Sequence, residues 1–155
     1  MSRIDATTCC SVYLQWLEIY ALSVTIAMTG NKIELSAADL DAWLGAYGQA
    51  WEKKDADAAA NLFAADARYF ETPYADAFEG QDGVRDYWAR VTADQQDIDF
   101  QYSRIAVDGN TGIASWSATF TTISGGVKVE LNGVFVLEFD ANRRCLVLRE
   151  WWHAR

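Results

Sequence analysis

The sequence predicts an α+β fold in which helices come first and an antiparallel meander comes last. Three observations carry this. Apolar residues recur at helical spacing from Leu40 to Trp51 and again from Val84 to Val91. From Ile98 onward the period changes to two. Asp108-Gly109-Asn110, Ser124-Gly125-Gly126 and Asp140-Ala141-Asn142 then divide that stretch into four runs with turn chemistry.

The first helix opens at Ser36-Ala37-Ala38-Asp39, a capping box in which a side-chain oxygen accepts from the first free amides and an acid follows three residues on. Leu40, Trp43, Leu44, Tyr47 and Trp51 form its apolar face. A break at Lys53–Asp55 starts a second short helix with Ala59, Leu62 and Phe63 inward. A strand is expected over Ala67 to Thr72, closed by Pro73, which cannot donate to a sheet ladder. Gly80 to Gly83 reads as a turn, and Val84, Tyr87, Trp88 and Val91 mark a third helix. Strands are expected at roughly 98–107, 112–123, 126–139 and 145–153.

Alternation assigns the faces of these strands. Val127, Val129, Leu131, Phe135, Leu137 and Phe139 share an apolar face broken only by Gly133, and Trp116, Ala118 and Phe120 do the same one strand earlier. If Leu146 and Leu148 point inward, Glu150 and Trp152 lie on the same side, so register puts an acid on a buried face. The opposite face carries Val134, Val136 and Trp151 beside Glu130 and Asn132. A sheet that is apolar on both sides suggests a homodimer through the outer face.

Composition narrows the function. A chain of 155 residues, 51% hydrophobic and 14% aromatic, buries a core without metals or disulfides. A net charge of −9 repels phosphate backbones and anionic membranes, so neither nucleic acid nor membrane is an expected partner. Cys9, Cys10 and Cys145 lack zinc-ligand spacing and His153 is the single histidine, so no metal and no cofactor is expected. A reduced, cytoplasmic protein fits this usage. Val12 to Met28 is apolar but interrupted by Gln15 and Glu18, and short of the ~20 residues of a membrane span. It also lacks the pattern of a signal peptide. Residues 1–34 therefore read as an extension outside a domain at 35–155, and Met28 offers an alternative start that intact mass would test.

The richest stretch is Leu62 to Trp88, which places Glu71 where a strand ends, among several aromatics. With the Gly80…Val84-Arg85-Asp86-Tyr87-Trp88 helix and Leu62-Phe63-Ala64-Ala65-Asp66-Ala67, it resembles the SnoaL-like branch of the nuclear transport factor 2-like superfamily, which includes the ketosteroid isomerases. The resemblance covers about 36–155. It implies a cystatin-like cone with three N-terminal helices packed on a curved, mainly antiparallel sheet, and a small-molecule pocket for a hydrophobic or carbonyl-containing ligand. It sets Tyr47 at the tyrosine that donates to a developing oxyanion, Glu71 at the carboxylate base, and Trp152 at a pocket-lining aromatic. Two departures argue against steroid isomerisation: Phe135 stands where the second oxyanion donor belongs, and Thr72 separates Glu71 from Pro73.

Each candidate has a plainer reading beside it. Glu71 is a general base with a raised pKa, or a solvated strand-end carboxylate. Tyr47 donates to a ligand oxygen, or fills the apolar stripe. Glu150 is a second acid, the sole base if Glu71 faces solvent, or an ion-pair partner of Arg68, Arg85 or Arg104. Tyr69, Tyr74, Trp88, Trp116, Phe135 and Trp152 line the pocket, or simply pack. His153 is expected at the surface or at a dimer contact, with general acid as the other reading. The implied activity is a cofactor-independent isomerase, polyketide cyclase-like enzyme or lyase that abstracts a proton next to a carbonyl. The alternative is a non-catalytic ligand-binding or dimerisation module of the same fold. A third reading is an unrelated scaffold whose outer sheet binds another protein.

Overall fold

A computed structural model describes residues 34–155. The expectations for the extension, Val12–Met28, Cys9 and Cys10 fall outside these residues. Helix α1 spans Ala37–Glu52 and begins with the expected capping box: Ser36 Oγ accepts from the Asp39 amide at 3.0 Å, and Asp39 Oδ2 accepts from the Ser36 amide at 2.9 Å. Its buried face is Leu40, Trp43, Leu44, Tyr47 and Trp51, the stripe legible in the sequence. Lys54 takes a left-handed conformation after the helix, and Asp55 then caps α2, Ala56–Ala60, by accepting from the Ala58 amide at 2.9 Å.

Strand β1 runs Phe63–Phe70, so it starts four residues earlier and stops two earlier than expected over 67–72. Phe63 is therefore strand, not helix. Its alanine-rich opening has helical propensity, which is overridden because Phe63 pairs with Cys145 of the final strand. Glu71, Thr72 and Pro73 follow in a bend and turn. A short strand unforeseen in the sequence, β2 (Phe78–Glu79), pairs antiparallel with β1 through Arg68 and Tyr69. Helix α3, Gly80–Thr92, begins within the glycines expected to form a turn. Gly80 has φ +65°, and a Cβ there would lie 2.9 Å from the Ala65 carbonyl oxygen, so glycine is required.

Strands β3 (Gln95–Asp108), β4 (Thr111–Thr122), β5 (Lys128–Phe139) and β6 (Cys145–Ala154) form the meander. The six-stranded sheet has the order β2-β1-β6-β5-β4-β3, and β1 with β6 is its parallel pair. The architecture is the expected α+β one, with α1 packed against β3 and α3 against β1. The apolar face of β5 is graded along its length. Phe135, Leu137 and Phe139 are buried, Val129 and Leu131 are half-buried, and Val127 is exposed in the preceding turn. On the outer face Trp151 is 46% exposed. No described helix is long and apolar enough to cross a membrane.

The core is built from aromatic rings. Tyr47 contacts Trp43, Trp51, Trp88, Phe100 and Phe135 with centroid separations of 5.1 to 6.4 Å. Trp116 stacks on Phe135 at 5.1 Å and 17°. Such rings pack most easily edge-on or offset, and here they do not close over the space between them. One gap forms the candidate site.

Candidate functional site: an aromatic cavity with a buried acid

A cavity of about 340 Å³ opens between α1, α3 and the concave side of the sheet. From α1 come Tyr47 and Trp51, one turn apart on the buried stripe; from α3 come Tyr87, Trp88 and Val91. The sheet supplies Tyr69, Trp116, Phe120, Val129, Leu131, Glu150 and Trp152, and Glu71 sits where β1 ends. The cavity is thus mostly apolar with a few polar groups, the composition of a small-molecule site.

Its polar groups form a chain. The Tyr47 and Tyr69 hydroxyls lie 3.1 Å apart, and the Tyr69 hydroxyl donates to Glu150 Oε1 at 3.0 Å. Each tyrosine is 1% exposed and Glu150 is 5% exposed. Burial pushes both phenols well above their usual range, and the Glu150 charge adds to the rise. Tyr87 is raised by burial and by Glu150 and Glu71. Burial also pushes Glu150 up to about 8; the Tyr69 hydrogen bond opposes this, and the Glu71 charge reinforces it. Glu150 is therefore mainly neutral at pH 7, because a buried carboxylate with no cation beside it among the described residues is costly.

An arginine partner was expected for Glu150, and the structure assigns those arginines elsewhere. Arg85 pairs with Asp57 at 2.6 Å and with Asp82, Arg104 pairs with Asp41 at 3.0 Å, and Arg68 lies over the Phe70 ring. All three ride on outward faces, so none reaches β6 from inside. Of the other expected pocket residues, Tyr47, Glu71, Tyr69, Trp88, Trp116, Glu150 and Trp152 come together around the cavity. Phe135 does not line it. It is fully buried behind the wall, stacked on Trp116 and against Tyr47. Tyr74 is fully exposed on the segment after Pro73, because the chain turns outward there to reach β2. His153 is exposed on the outer side.

Several lining residues, among them Trp51, Tyr87, Phe120 and Leu131, were legible only as inward-facing, and one polar residue was given no inward face at all. Gln95, the first residue of β3, is 9% exposed and lines the cavity. Counted back from buried Phe100, alternation would turn it outward. A bulge reverses the phase: Gln96 pairs with Thr121 but Asp99 pairs with Thr119, leaving one extra residue on β3. Asp97 adopts φ 54° within it. The Asp94-Gln95-Gln96-Asp97 run is polar and carries no hydrophobic period, so the bulge left only its turn-like composition as a signal. Trp88 and Trp116, by contrast, keep buried indole N–H groups with no acceptor among the described residues.

Comparison with known proteins agrees with this architecture. A family described as SnoaL-like domain matches residues 44–146. No curated protein matches the chain. Among solved structures, SalBIII, an epoxide hydrolase/cyclase-like enzyme in pyran ring formation in polyether salinomycin, superposes with TM-score 0.64 at 20% identity, over 73% of this chain and 89% of its own. A Bacillus subtilis protein provisionally called an isomerase gives 0.67 at 20% identity, over 75% and 87%. A Catenulispora acidiphila protein with a ketosteroid isomerase-like fold, in complex with trimethylamine, gives 0.63 at 14% identity, over 70% and 83%. At these identities the likeness is one of fold.

Proposed function

The chain belongs to the SnoaL-like domain family, and from that membership and the site's geometry we propose that it transfers a proton on a small, largely apolar ligand bearing a carbonyl group. The observation carrying this reading is the Tyr47–Tyr69–Glu150 hydroxyl–carboxyl chain, which lines the same cavity as Glu71. Glu71 takes the proton from the carbon beside the carbonyl. The C–H electron pair becomes the enolate double bond, and negative charge gathers on the oxygen. Return of the proton at a different carbon completes an isomerisation.

Tyr47 answers the oxygen's charge. A phenol has one hydrogen, so its donor direction depends on its neighbours. When Glu150 is ionised, Tyr69 donates to it and Tyr47 is held donating to Tyr69. When Glu150 carries a proton on Oε1, it can donate to Tyr69, Tyr69 to Tyr47, and Tyr47 to the ligand, with the same heavy-atom positions. A pKa of about 8 keeps the second arrangement available at pH 7. A well-placed donor of this kind is worth ~10²–10³ in rate. The isomerase and cyclase designations of proteins sharing the fold support a reaction of this class.

Deuterium exchange tests the reading without a known substrate. The wild-type protein in deuterated buffer should accelerate exchange at the carbons flanking the carbonyl of cyclohexanone, and Glu71→Gln should reduce that acceleration by roughly 10²–10⁴-fold. Equal exchange with wild type and variant would refute Glu71 as the base.

The half-buried Val134 and Val136 with exposed Trp151 support a homodimer through the outer sheet face, testable by light scattering at micromolar concentration. The free thiol of buried Cys145 is compatible with a cytoplasmic setting. The same proposal takes 35–155 as the functional domain.

A further inference from the structure

We propose that Gln95 is the second donor to the ligand's oxygen, held in its donating orientation by Trp51. The inference rests on the carbonyl-ligand reading above and extends it to a residue that the family match does not assign. The two ends of a glutamine amide differ, one accepting and the other donating, and a neighbour of fixed polarity decides which faces where. Trp51 Nε1 is such a neighbour. It can only donate, and it lies 2.8 Å from Gln95 Oε1. Rotating the amide by a half turn would set N–H against N–H inside a buried contact, so the oxygen stays toward Trp51.

The amide nitrogen is consequently directed away from Trp51. It has no acceptor among the described residues, although Gln95 lines the cavity and is largely buried. The backbone is anchored as well: the Gln95 carbonyl accepts from Lys54 Nζ at 2.9 Å, and the residue pairs with Thr122 across the sheet. The bulge at Asp97 is what turns this side chain inward. A bulge that re-aims one polar side chain into a cavity is a recognised device at sites of function.

The charges around the cavity make a neutral donor the useful kind. Glu71 and Glu150 line it, and no lysine, arginine or histidine among the described residues does. A carbonyl oxygen entering this space finds two carboxyl groups, the Tyr47, Tyr69 and Tyr87 phenols and the Gln95 amide. Trp51 links Tyr47 and Gln95 among these donors, lying one helical turn from Tyr47 with ring centroids 6.4 Å apart and bonded to Gln95. The site would therefore select ligands with a hydrogen-bond-accepting oxygen over hydrocarbons of the same shape.

The test uses cyclohexanone and its hydrocarbon isostere methylenecyclohexane as probes, with binding followed by NMR on ¹⁵N-labelled protein. In wild type, cyclohexanone should bind more tightly than the isostere, and the Gln95 side-chain amide resonances should move with the ketone and not with the hydrocarbon. Gln95→Leu should narrow the ketone preference by roughly two- to tenfold, the worth of one hydrogen bond, with isostere binding little changed. Gln95→Glu keeps the acceptor for Trp51 and, at a pH high enough to ionise it, replaces the donor by an acceptor, so under those conditions it should weaken ketone binding further. The wild-type amide shifts stand by themselves if either variant fails to fold. A ketone preference equal in wild type and variants, or amide resonances indifferent to the ketone, overturns the role of Gln95 while leaving the Glu71 exchange result intact. Failure of both probes to bind overturns the ligand site and this inference together.

Discussion

Replacing Glu150 by glutamine removes a titration that couples this fold to pH across the neutral range. The native carboxyl holds its proton to about pH 8, whereas the ordinary value is 4.5. Between those values the native state binds more protons than the unfolded chain, so stability is complete at the acid end and falls as pH rises. The slope approaches ~1.4 kcal/mol per pH unit, and the whole window is worth at most ~5 kcal/mol. Glu150 is 5% exposed, so solvent screening removes little of this. Asp39 and Asp94 have carboxyls held low by hydrogen bonds from Ser36 and Ser124, and Glu130 is held low by Arg155. Their stabilisation is lost only as pH falls through the acid range, so it does not overlap the Glu150 window. Urea unfolding of wild type and Glu150→Gln between pH 5 and 9 should give similar stabilities at the acid end. The variant should be the more stable protein at pH 8. The glutamine can also donate to Tyr69, so cyclohexanone exchange should lose its alkaline decline near pH 8 while persisting at pH 7. Parallel stability curves across the range would refute the buried, cation-free carboxyl as the cause.

Tyr69→Phe removes the centre of the chain and strips Glu150 of its only hydrogen bond among the described residues. It should destabilise the fold by about 1–3 kcal/mol in chemical denaturation and raise the Glu150 pKa further, read by carboxyl ¹³C titration. Gly133→Ala would bring a methyl to 2.5 Å from the Trp151 carbonyl oxygen and 2.9 Å from the Trp116 ring. It should cost about 1–3 kcal/mol and shift the fluorescence of the cavity tryptophans, since backbone must move to relieve it. Ser36→Ala breaks the capping box and should lower stability by ~1 kcal/mol without altering ligand binding.

Local chemistry was legible wherever one element's own residues decided its structure. The α1 stripe, the Ser36 box, the meander and the inward register of Glu150 needed only period and turn residues, because each depends on neighbours close in the chain. Errors arose where a distant partner decides. Phe63 became strand by pairing with Cys145, far along the chain. Phe135 was expected at the pocket surface because alternation distinguishes inside from outside; it cannot tell a cavity wall from the layer behind it. Gln95 was invisible for a related reason, since one inserted residue in β3 reverses every face assignment before it.

The order of amino acids alone determined that helical stripes would be followed by an antiparallel meander, and that an acid would lie on its inner side. Those follow from repeat spacing and from the cost of exposing apolar stripes. Only the assembled chain decided that no arginine among the described residues reaches that acid, that two phenols line up beside it, and that an amide turns in to face the same space. Each of these depends on which side chains from separate strands and helices meet. Repeat spacing is silent on that, because it records the direction a residue faces and not what it finds there.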